Sequence, residues 1–106
     1  MDNNKINNNI IKSNMKSVYV LFYRTNNFKN IVSVYANKED AINALTFNKN
    51  TLEFLINNNL HNNLKFNQYI ISKTEHDQSH TFGFRFTDKI FSYFEEYIVE
   101  THSLIE

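Results

Sequence analysis

Residues 80–86 read HTFGFRF, and this alternation constrains the fold more than any other stretch of the chain. Successive side chains on a strand point to opposite faces, so Phe82, Phe84 and Phe86 share one side and Thr81, Gly83 and Arg85 the other. A sheet packed against helices must bury one of these sets. Burying the second would strand a lone guanidinium in the interior, at a cost of several kcal/mol. The phenylalanines are therefore expected to face the core.

Three further segments carry strand chemistry. SVYVLFYR from Ser17 to Arg24 and IVSVYA from Ile31 to Ala36 are β-branched and aromatic, and TNNFKN between them supplies turn formers. They read as a hairpin. LKFNQYIISKT supplies a third strand and EHDQS a turn, after which HTFGFRF returns as the fourth strand. Between the hairpins, Asn37 precedes KEDAINAL with Asp40 three residues on, which marks a capped helix start with early carboxylates. Apolar Ala41, Ile42, Ala44, Leu45, Leu52, Leu55 and Ile56 keep a helical spacing up to the asparagines at 57–59, with a break expected near NKNT. After Thr87 or Asp88, either of which would cap it, Ile90, Phe91, Phe94, Tyr97 and Ile98 recur as one stripe of a second helix.

The expected order is ββαββα: an α+β fold with a four-stranded antiparallel sheet and helices on one face, in connectivity a permuted ferredoxin-like sandwich. Residues 1–15 are polar, Asn-rich and without period, and are expected to be a flexible tail. Residues 16–106 form a single α+β domain, as a chain of 106 residues allows one two-layer core.

The same alternation places Val18, Val20, Phe22, Val32, Val34, Phe66 and Ile70 inside with the phenylalanines. It leaves Tyr19, Leu21 and Tyr23, Tyr35, and Tyr69 with Ile71 on the open sheet face. Tyrosine buries a large area and keeps a polar tip, so these six residues are the expected interaction face.

Catalytic and metal motifs are sparse. EHDQSH offers His76, Asp77 and His80 as weak metal-ligand candidates, but turns attract Asp, Gln and Ser for backbone reasons, and neither a metal nor another cofactor is expected. His61 and His102 stand apart in the sequence and are expected in solvent. With no cysteine there is no disulfide or thiolate chemistry, and with Gly83 as the sole glycine no phosphate-binding glycine loop. No apolar stretch reaches the roughly 18 residues needed to cross a bilayer, and neither a secretory leader nor an Asn-x-Ser/Thr acceptor is present, so an intracellular, cytoplasmic protein without membrane contact is expected.

FGF at 82–84 resembles the centre of the aromatic strand in RNA-recognition modules. His80 and Thr81 stand where that motif has a basic residue and a glycine, and Arg85 where it has an apolar one. Eleven basic residues are cancelled by eleven acidic ones, so the positive field that a phosphate backbone demands is missing and nucleic acid is not the expected partner. The stretch VYVLFYRTNNFKNIVSVYANKEDAINAL, Val18 to Leu45, resembles small uncharacterised β-β-α modules of phages and large DNA viruses. That resemblance implies a viral source and a host-cytoplasmic location, and no assigned activity.

The resulting expectation is a non-enzymatic interaction or assembly module that contacts itself or another protein through the tyrosine-bearing face. The alternatives are single-strand binding in the manner of an RNA-recognition module, or a ligand-binding or catalytic dimeric α+β barrel lined by Tyr19, Tyr35, Tyr69 or Arg24.

Overall fold

The computed structural model describes residues 15–62, 64–76 and 80–105; the expected tail, apart from Met15, lies outside them. Strands β1 (Met15–Thr25) and β2 (Lys29–Tyr35) form the first hairpin. Helix α1 (Lys38–Asn57) follows, then a 3₁₀ turn (Leu64–Asn67). Strands β3 (Tyr69–Glu75) and β4 (Thr81–Asp88) form the second hairpin, and β5 (Phe94–Ile105) ends the fold. All neighbours are antiparallel, in the order β2-β1-β5-β4-β3.

The fold corrects the expected architecture. One sheet has five strands rather than four, and α1 is the one α-helix among the described residues. The segment expected as a second helix is the turn after β4 and then β5, which lies between β1 and β4 and joins the two hairpins. Asp88 does act as a cap, but of a turn: its carboxylate accepts from the Ser92 backbone N–H and hydroxyl, both at 2.9 Å. Ile90 and Phe91, two residues of the expected helical stripe, stand 78% and 65% exposed at that turn.

Helix α1 begins as its sequence demands. Asn37 Oδ1 accepts from the Asp40 N–H at 2.9 Å and Asn37 Nδ2 donates to the Asp40 carboxylate at 3.0 Å. The helix runs through NKNT without a break and ends at the asparagines, where Asn59 takes the left-handed conformation (φ 58°) common just past a helix. At 20 residues it is about 30 Å long, enough to cross from the β2 edge toward the β3 edge. Its buried residues divide the core in two. Ala41 and Leu45 pack with Leu21 and Val99; Leu52 and Ile56 pack with Phe66 and Phe86. No helix among the described residues is long and apolar enough to cross a membrane.

The phenylalanines of β4 face the helix: Phe82 and Phe84 pack against the first cluster, and Phe86 belongs to the second. On β1 and β2 the faces are reversed from expectation. Leu21 is fully buried beside the helix, with Tyr19 and Tyr35 packed around it, while Val34 on the other face is 54% exposed. Val32, the extra residue of a β-bulge opposite Leu21 and Phe22, is 46% exposed. Ile70 is exposed as well, and Phe66 is buried from the 3₁₀ turn rather than from a strand.

Candidate functional site

The face of the sheet opposite α1 is organised by charge. Register places Arg24 of β1 beside Glu96 of β5, and Glu96 beside Arg85 of β4. The Glu96 carboxylate is buried and accepts from Arg24 Nε at 2.7 Å and Arg85 Nε at 3.2 Å. Both guanidiniums lie over the ring of Phe94, with centres 5.3 Å and 4.1 Å from its centroid. These are the only two arginines in the chain.

A second ion cluster adjoins this one. Lys29 Nζ approaches Glu100 at 2.8 Å, His102 Nε2 approaches the other Glu100 oxygen at 3.0 Å, and the ammonium lies 4.2 Å from the Phe22 ring centroid. Burial would raise the Glu100 pKa, but the hydrogen bonds from Lys29 and His102 outweigh it and hold the carboxyl below its ordinary range. Together these groups help line a concavity of about 480 Å³, which extends to Thr74, His76 and Thr81. The hydroxyl of Thr74, one of its lining residues, is buried without a hydrogen-bond partner among the described residues.

On the helix side of the same strand lies another buried carboxylate. Glu95 is 2.9 Å from His61 Nε2 and also hydrogen-bonds the Tyr23 hydroxyl. Burial, reinforced by the Glu95 carboxylate, raises the Tyr23 pKa far above the ordinary phenol range; the same two causes raise that of Tyr97. Both phenols are thereby held neutral. His61 packs edge-on against Phe66 at 5.6 Å, so it sits in the structure as a positioned partner of Glu95, not alone in solvent as its sequence context suggested. Phe66 packs on Tyr93 in turn, so the imidazole of this cluster is held by an aromatic pair.

The six residues expected on an open face lie on the helix-bearing one. Tyr19 and Tyr35 are cross-strand partners packed on the first core cluster, and Leu21 is part of it. Tyr23 leans on Tyr97 and Phe28, with ring centroids at 5.1 Å and 5.8 Å. Tyr69 and Ile71 pack on the second cluster, and the Tyr69 hydroxyl donates to Asn57 Oδ1 at 2.9 Å. The physical reason is that SVYVLFYR is apolar on both faces, so hydrophobic alternation does not choose between them.

Of the metal candidates, His76 and His80 are exposed and Asp77 lies outside the described residues; no group of three or more potential ligands occurs among the described residues. Sequence reading missed both glutamate clusters. The available signal was the adjacent pair Glu95-Glu96 inside a run rich in aromatic and β-branched residues. No protein-family model, curated protein or solved structure matches the chain.

Proposed function

We propose that this protein is a non-enzymatic assembly module that pairs with a second copy of itself through the outer edge of β2, which no described strand covers. The supporting observation is the exposure of three large aliphatic side chains on one seven-residue edge strand: Ile31 at 63%, Val32 at 46% and Val34 at 54%. No charged residue occurs from Asn30 to Asn37. The opposite edge, β3, carries Lys73 and Glu75, the kind of charge that guards an edge against pairing.

An antiparallel pairing about the centre of β2 is self-complementary, as a two-fold interface requires. It brings the Lys29 end of one copy to the start of α1 in the other, where Glu39 and Asp40 stand in the first turn. The face that carries the assembly is thus the β2 edge, in place of the tyrosine set.

Analytical ultracentrifugation over a concentration series tests the reading. The wild-type chain should show a concentration-dependent dimer, and Ile31→Lys and Val34→Lys should each shift it to monomer with an unchanged circular dichroism spectrum. A wild type that stays monomeric at millimolar concentration would overturn the proposal.

A further inference from the structure

We propose that Arg24 and Arg85 form a binding site for a small molecule carrying a phosphate-type oxyanion. This goes beyond self-assembly and does not depend on it, since the guanidiniums stand on β1 and β4 rather than on the β2 edge.

A guanidinium has five N–H donors. In each arginine the Nε donor is committed to Glu96, and among the described residues neither side chain makes another hydrogen bond. Their side chains remain 39% and 33% exposed, and the eight terminal donors, four from each, have no partner among the described residues. Phe94 beneath and Glu96 between them fix both planes. Such preorganised forks match the geometry of phosphate oxygens better than flexible ammonium groups do.

The surroundings fit a ligand of this kind. The concavity of about 480 Å³ beside the pair falls within the range of small-molecule sites. Ile98 gives its wall an apolar element. Glu96 offsets one of the two guanidinium charges, which leaves one net positive charge on the pair and points to modest affinity. The chain as a whole is electrically neutral, so it lacks the field that would draw a nucleic-acid polymer and favours a small ligand.

The test is an NMR titration of the full chain with inorganic phosphate replacing chloride at constant ionic strength. Saturable shifts are expected at the Arg24 and Arg85 side-chain resonances, and Arg85→Gln should weaken binding about tenfold, the loss expected for a charge-assisted contact. Arg85→Lys, which keeps the charge and so protects the Glu96 pairing, should fall between the two. Phenyl phosphate should compete with inorganic phosphate. Non-saturating shifts, or equal affinity in wild type, Arg85→Gln and Arg85→Lys, would overturn the site; displacement of phosphate by a short single-stranded oligonucleotide but not by phenyl phosphate would overturn the small-molecule assignment.

Discussion

Replacing Glu96 by Gln keeps the side-chain shape and removes one charge, which isolates what the carboxylate does between its two arginines. The group is 2% exposed and accepts at 2.7 Å and 3.2 Å. Hydrogen bonds to charged groups contribute about 1.5–3 kcal/mol each, and breaking a buried ion pair from one side costs about 3–5 kcal/mol. The two arginine side chains keep 39% and 33% of their surface in water, so part of that cost is recovered by solvation. The expected loss is about 2–4 kcal/mol, lowering the urea midpoint by about 1–2 M at unchanged slope. Glu100→Gln is the internal comparison. Its side chain is 19% exposed, and removing its Lys29 pairing should cost about 0.5–1 kcal/mol and be weakened further by salt. Equal losses for the two variants, both abolished in high salt, would refute the view that Glu96 is a desolvated anchor.

Gly83→Ala should destabilise the fold by about 1–3 kcal/mol in the same assay, as overpacking does, because its Cβ would stand 2.3 Å from the Tyr97 carbonyl oxygen and 2.5 Å from Ile98 Cγ2; a wild-type midpoint would show that β4 and β5 can part freely there. Acid stability should follow Glu100 and Asp88. Burial would raise the Asp88 carboxyl too, but the Ser92 hydrogen bonds win and hold it low. Groups lowered by folding stabilise the native state above their unfolded values, near pH 4, and lose that contribution as pH falls through the folded ones. The urea midpoint should therefore decline below about pH 4, less steeply in Glu100→Gln; a midpoint flat to pH 3 would contradict the assignment.

What the sequence made legible was local. The Asn37 cap, the helix end at the asparagines and the inward phenylalanines of β4 all follow from groups whose needs are met within a few residues, or from a face with only one tolerable choice. Where two faces were equally apolar, alternation had no power. Arg24 belongs to the same set as Val18, Val20 and Phe22, so the reasoning that turns Arg85 away from the helix would have turned that set away as well. The second helix failed for a related cause. Its stripe was real as a spacing, but Tyr97, Ile98, Val99 and Thr101 favour a strand, and the partners that fix Glu96 in β5 lie 11 and 72 residues away, beyond a local reading.

Those two adjacent glutamates explain why β5 sits where it does. Consecutive strand residues point to opposite faces, so Glu95 meets His61 and Tyr23 on the helix side while Glu96 meets Arg24 and Arg85 on the other. A slip of one residue would exchange the two faces and leave both carboxylates buried opposite the wrong partners. Hydrophobic pattern alone would resist such a slip weakly, since Ile98 and Val99 are both buried, one on each face. The charges therefore select the register that apolar contacts leave open, a specificity that buried ion pairs can supply even where their net stabilisation is small. It follows that the arginine pair has a structural reason to exist before any ligand arrives, and that a ligand would engage only the terminal donors which that structural task leaves unused.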